Sequence, residues 1–174
     1  MESRAARQLA EIAEVVNVAE TLDVAVWLRG GWAMDFFLDR ASRPHGDIDW
    51  FMWSEQVDRL VAELEVRGYR FLPGPPPDQQ RDLSKGGEEH NIALLAQNAQ
   101  GGVVVAGGPG AGSPWPDGML AAWTGRLGSI ECPIISPEAQ IEIKRMMPEW
   151  VPGMRRRSKD AEDIALIEAA LDAE

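Results

Sequence analysis

Residues 24–53 constrain this chain more than any other stretch. Val24 to Leu28 is a short apolar run, Arg29-Gly30-Gly31 interrupts it, Trp32 to Asp39 has helical spacing, and Asp47-Ile48-Asp49 opens a second apolar run that ends at Trp53. The change of period reads as strand 24–29, helix 32–39, return loop and strand 47–53, with both glycines at the strand-to-helix bend. Glycine lets a backbone approach a ligand closely, and the free amides opening a helix carry the positive end of its dipole. That bend favours an anion.

The second strand supplies the opposite charge. Side chains alternate along a strand, so Asp47 and Asp49 share a face with α-carbons about 6.6 Å apart, while Ile48 and Trp50 point the other way. Without a cation the two carboxylates repel, and one is expected to keep its proton to higher pH than a free aspartate. Magnesium takes oxygen ligands and commonly binds through one or two carboxylates together with substrate phosphates. A phosphate cradle and paired acids together describe a nucleoside triphosphate with its metal. In the return loop, Arg40, Arg43 and His45 either face that triphosphate or pair with Asp35, Asp39 or water. Both readings stay open for Arg43 and His45.

The remainder of the chain reads as support. At 174 residues and 45% hydrophobic it can bury one good core, and a single domain 1–174 is expected, with a sheet-containing core over residues 1–135 and a helical segment over 136–174. A net charge of -11 speaks against a nucleic-acid partner, which calls for a basic patch. It suits a cationic small molecule better. Cys132 is the only cysteine and there are two histidines, so no internal disulfide and no zinc cluster is expected. A reducing cytoplasm fits. No leader pattern and no run of eighteen apolar residues is present, so no membrane partner is expected. A monomer and a homodimer are equally compatible.

Residues 3–21 form an amphipathic helix with Leu9, Ile12, Val16 and Ala19 inward and Glu11 among the outward charges. Ser54 is expected to cap a helix carrying Val57, Leu60, Val61 and Leu64, with Gly68 as its stop. Tyr69 to Leu72 is a short strand and Pro73 to Gly87 a stiff loop. Glu88 to Gln97 is a strand with Glu89, Asn91 and Ala93 on one face and His90, Ile92 and Leu94 on the other. A hairpin leads from it to Val103–Val105. Gly107 to Pro114 is glycine-rich, but Pro114 and Pro116 stand where a dinucleotide loop needs a helix. Two short strands fill 125–135, Ser136-Pro137-Glu138 opens a helix closing near Pro148, and the last helix begins at about Ser158. Trp115 and Trp123 are open to stacking on a substrate, with core packing the expectation, since tryptophans are well buried on average. The sum is an α/β (α+β) fold, a small mixed, mainly antiparallel sheet flanked by helices.

The run Gly30-Gly31-Trp32-Ala33-Met34-Asp35, followed by Arg40, Arg43-Pro44-His45 and Asp47-Ile48-Asp49, resembles the signature of small antibiotic nucleotidyltransferases. These are the aminoglycoside and lincosamide adenylyltransferases of the polymerase-β-like superfamily. The resemblance implies the nucleotidyltransferase fold, a triphosphate held against Gly30 and Gly31, and magnesium on Asp47 and Asp49. It implies transfer of a nucleoside monophosphate, most simply AMP from ATP, to a hydroxyl of a small molecule, an activity of antibiotic-resistance type. Ser136-Pro137-Glu138, Lys144 and Lys159-Asp160 followed by Asp163-Ile164 resemble later landmarks, which makes Lys144 and Lys159 candidate phosphate contacts. The family has a third acid on a neighbouring strand. Its expected position here falls on Asn91, so Glu89, two residues earlier on the same face, is the candidate general base. A nucleotide-sensing module without turnover and an enzyme acting on protein hydroxyls are the alternatives.

Overall fold

The structure is a computed structural model and describes residues 2–174. Its sheet is built outward from β2 (Ile48–Trp53), which pairs antiparallel with β1 (Val26–Arg29) and parallel with β5 (Glu88–Gln97). A strand with neighbours on both sides and cover on both faces needs apolar residues of either parity. Ile48, Trp50 and Met52 enter the main core under α1 (Arg4–Leu22) and α3 (Val57–Val66). Phe51, of opposite parity, joins Leu95, Met119, Ile135, Ala139 and Ile143 on the other side. Asp49 shares the parity of Phe51, so the face covered by α4 (Pro137–Trp150) is the face that carries the acids.

The remaining strands are β3 (Arg70–Phe71), β4 (Gln80–Lys85), β6 (Val103–Val105), β7 (Trp123–Leu127) and β8 (Ile130–Ile134). The order is β3-β4-β5-β2-β1-β8-β7, with β6 also pairing β5. Only β1 with β8 and β2 with β5 run parallel, so the sheet is mixed and mainly antiparallel, as expected. Helix α2 (Gly30–Leu38) packs with α4 and α5 (Ser158–Asp172) through Met34, Ile141 and Ile167. Among the described residues no helix is long and apolar enough to cross a membrane.

Four local expectations need correction. Ser54 does not cap α3; its amide donates to the Leu95 carbonyl at 2.9 Å, and Gln56 takes the cap position without a side-chain bond. The segment read as loop 73–87 contains strand β4, which has only Leu83 buried and so no alternation to reveal it. Gly86 and Gly87, with φ of 56° and 83°, make the tight hairpin turn into β5 that demands two positive φ angles. Helix α4 passes through Pro148 to Trp150, because a proline this near the end costs little more than one backbone bond. Glu11 points inward. Its carboxylate lies 2.9 Å from His90 Nε2, and Trp50 Nε1 donates to His90 Nδ1 at 3.1 Å, so this buried acid is paired.

Candidate active site

Strand β1 ends at Arg29 and α2 begins at Gly30, with no residue between them. Arg29 is the N-cap, and its side chain makes no cap hydrogen bond. The first amides of α2 therefore lack a side-chain acceptor and remain available to an anion. Gly30 has φ +69°, and a Cβ there would sit 2.9 Å from Asp49 Oδ2. A Cβ on Gly31 would come within 2.5 Å of His45 Cε1. One glycine thus lets the backbone rest on a carboxylate of β2 and the next lets it rest on an imidazole.

The two aspartates converge. Asn91 stands opposite Asp49 in the parallel β2–β5 pairing, and its Nδ2 donates to Asp47 Oδ2 at 3.1 Å and to Asp49 Oδ1 at 3.2 Å. The amide oxygen of Asn91 is buried with no partner. Glu89 has the predicted phase and is exposed. Among the described residues no three His, Cys, Asp or Glu side chains form a metal-holding group, so Asp47 and Asp49 are a pair rather than members of an acidic triad.

Burial pushes the Asp49 carboxyl above the usual range, and the charge of Asp47 adds to the rise; Arg29 and the Asn91 bond oppose it, and Glu89 contributes a little more upward. Arg29 faces Asp49 across the β1–β2 pairing. Its guanidinium lies 4.2 Å from the Phe51 ring centre and 5.6 Å from that of Trp115. Burial draws its pKa down, against the attraction of Asp49 and Asp47. Sequence reading missed Arg29 as a site residue. Strand parity held the signal, since Arg29 and Asp49 share a face only once the β1–β2 register is known.

A cavity of about 170 Å³ opens between these groups, bounded by Arg29, Gly30, Asp49, Lys144, Met147 and Arg157 among others. Met147 also lines a cavity of about 620 Å³ whose walls include Trp115, Trp150, Val105, Asp117 and Glu142. The small charged hollow and the large aromatic one share that wall. A third cavity, about 420 Å³, is lined by Arg4, Gln8, Trp32, Arg43 and His45.

The predicted cations divide between these places. Lys144 reaches the first cavity and also lies 3.2 Å from Asp163 Oδ2. Arg43 donates to the same carboxylate, 2.6 Å from Nη2 and 3.3 Å from Nε. Burial would raise the pKa of Asp163, but the bonds from Arg43 and the charge of Lys144 hold it below the usual carboxylate range. Asp163 resembles a late family landmark in the sequence, but its pairing with Arg43 and Lys144 had no signal there, because Arg43 lies 120 residues away along the chain. His45 is buried, with Nε2 2.6 Å from Asp35 Oδ2 and Nδ1 3.4 Å from Arg43 Nη1. A guanidinium only donates, so Nδ1 accepts and Nε2–H donates to Asp35. Lys159 is exposed at the start of α5 and does not line the first cavity, whereas Arg157 and Asp160 do.

The model of the aminoglycoside-2''-adenylyltransferase family matches residues 11–167. The chain belongs to this family. Over 65 residues it is 34% identical to a 2''-aminoglycoside nucleotidyltransferase of Escherichia coli, a match that spans 37% of this chain and 37% of that protein. The aminoglycoside-2''-adenylyltransferase fold extends well beyond that segment. ANT(2'')-Ia in complex with adenylyl-2''-tobramycin superposes with a TM-score of 0.77 at 23% identity, over 96% of this chain and 91% of that one. The lincosamide antibiotic adenylyltransferase LnuA with lincomycin bound gives a TM-score of 0.72 at 22% identity, over 92% of this chain and 96% of that one. At such identities the two likenesses show a shared fold.

Proposed function

We propose that this family member transfers a nucleoside monophosphate, AMP from ATP, to a hydroxyl of a small cationic molecule of aminoglycoside or lincosamide type, releasing pyrophosphate. The carrying observation is that Gly30 lies against Asp49 at one hollow that Lys144 also lines. Anion cradle, one acid of the pair and a cation meet there.

The donor set suits magnesium, since Asp47 and Asp49 each bring one oxygen within 3.2 Å of a single point, the Asn91 Nδ2. A bound magnesium ion would neutralise phosphate charge and lower the pKa of the attacking hydroxyl. The protein's own groups do the rest. The opening amides of α2 and Lys144 hold the phosphates, while Arg43 and His45 act from behind, Arg43 through the carboxylate it shares with Lys144. Arg29 balances the acid pair in a site shielded by Phe51 and Trp115. The acceptor occupies the larger cavity, where Trp115 and Trp150 give apolar faces and Asp117 and Glu142 attract an ammonium. Its hydroxyl oxygen bonds to the α-phosphorus as the bond to pyrophosphate breaks, and Glu89 takes the hydroxyl proton. Residues 1–135 carry the acids, and 136–174 close the hollow from the other side.

The acceptor class draws support from the relative named a 2''-aminoglycoside nucleotidyltransferase and from the adenylyl-2''-tobramycin and lincomycin held by the two similar structures. A reducing cytoplasm, which supplies ATP and magnesium and leaves the buried Cys132 as a free thiol, is the matching compartment. The test is incubation with magnesium, labelled ATP and a panel of aminoglycosides and lincosamides. Acceptor-dependent pyrophosphate release with label on the drug supports the reading. Nucleotide binding without release under any acceptor, or label on protein, overturns it in favour of a sensor or a protein-modifying enzyme.

A further inference from the structure

Asn91 is an uncharged residue in direct contact with both members of the acid pair, and its own hydrogen bonding is incomplete. Its Nδ2 bridges Asp47 Oδ2 at 3.1 Å and Asp49 Oδ1 at 3.2 Å. Its Oδ1 is buried with nothing to accept from. The two ends of a carboxamide exchange places by a half-turn about the last side-chain bond. After that turn the oxygen stands where the nitrogen was, near one oxygen of each aspartate. Adjacent ligands of an octahedral magnesium ion, each about 2.0–2.1 Å from the metal, are about 2.9 Å apart. The spacing already present around Nδ2 is within a few tenths of an ångström of that value.

The geometry points to Asn91 as a third, neutral ligand of the divalent ion: its Nδ2 holds the carboxylates together when no ion is bound, and its Oδ1 coordinates when one is. The inference rests on the Asp47–Asp49 metal assignment made above. The amide oxygen has no donor to lose in its present position, and the bonds from Nδ2 to the carboxylates become unnecessary once an ion screens their repulsion. The strand register supports it, because Asn91 lies directly opposite Asp49 and is held between β2 and β4 on both sides. With the backbone under the side chain paired on both sides, the amide ends exchange by a half-turn about the last side-chain bond. The consequence is a site with two negative charges where a carboxylate at this position would give three. Such a site holds the bare ion loosely and relies more on the phosphates that arrive with it.

The two roles open to Asn91 predict opposite signs. Mn²⁺ alone is titrated into the full chain, without nucleotide or acceptor, and the free ion is followed by electron paramagnetic resonance in wild type, Asn91→Ala and Asn91→Asp. As a ligand, Asn91 is worth about tenfold or more in Mn²⁺ affinity, so Asn91→Ala weakens binding and Asn91→Asp tightens it. If Asn91 only bridges the acids in the ion-free protein, Asn91→Ala frees both carboxylates and Mn²⁺ binds equally well or better, which overturns the proposal. Circular dichroism checks that each variant is folded; should Asn91→Ala fail that check, absence of a gain in Asn91→Asp overturns it as well. Wild type that takes up no Mn²⁺ even with ATP present defeats the parent metal assignment. A wild type that binds, with indifferent variants, defeats only the role of Asn91.

Discussion

Replacing Gly31 by alanine tests the packing that positions the anion cradle. The added Cβ would fall within 2.5 Å of His45 Cε1, whereas carbon atoms pack at about 3.5–4.0 Å. The imidazole would have to recede by about 1 Å. It has little freedom to do so, since Asp35 holds Nε2 at 2.6 Å, Trp32 lies against the ring at 4.7 Å between centres, and Gln8 donates to the His45 carbonyl at 3.1 Å. Overpacking of a fixed site costs about 1–3 kcal/mol. For a chain of this size each kcal/mol moves Tm by about 2–4 °C, so a fall of about 2–12 °C is expected in a thermal melt. The cause is isolated by a double-mutant cycle with His45→Ala, which empties the space the methyl needs. There Gly31→Ala should cost less than about 0.5 kcal/mol, the rest appearing as coupling. Equal cost in both backgrounds would refute the packing argument and put the penalty in the helix start itself.

Asp49→Asn should abolish transfer on the order of 10³-fold, the scale of several kcal/mol of lost charge stabilisation, while raising Tm at pH 7–8. Asp49 has a raised folded pKa, so stability falls as pH climbs from its unfolded value of about 3.9 through the folded one, and the deficit persists above it; a lower Tm in the variant at pH 8 would contradict this. Asp163→Asn should do the reverse, costing about 1.5–3 kcal/mol at pH 7 through its lost bonds to Arg43 and Lys144. Because the folded pKa of Asp163 is depressed, its contribution is complete above about pH 3.9 and vanishes as pH falls through the folded value. Urea melts of both proteins should converge there, and parallel curves would sink the assignment. Trp150→Ala should raise KM for the acceptor by about 3–10-fold, the value of one aromatic contact, with KM for ATP unchanged. A change confined to ATP would move the acceptor out of the larger cavity.

The order of elements and the chemistry of the Gly30–Asp49 stretch were legible along the chain because both are local. A diglycine at a change of period and two acids of equal parity need no knowledge of distant residues to be recognised. Helix α2, strands β2 and β5 and the phase of Glu89 and Asn91 follow from the same short-range rules. What lacked a local signal was lost: β4 has a single buried side chain and exists because β5 offers it an edge. Ser54 looks like a cap, but α3 starts only at Val57 with Gln56 in the cap position, which leaves Ser54 too early to cap it.

Tertiary structure alone decided which charges meet. Strand register set Arg29 and Asn91 on either side of Asp49, and the packing of α5 on α2 and α4 brought Asp163 to both Arg43 and Lys144. Of the two readings open for His45, the return loop realised the pairing with Asp35, and Lys159 stayed in solvent. Periodicity states which way a side chain points within its own element. Its partners depend on how elements are placed against one another, and that is fixed by burial of apolar surface summed over the whole chain.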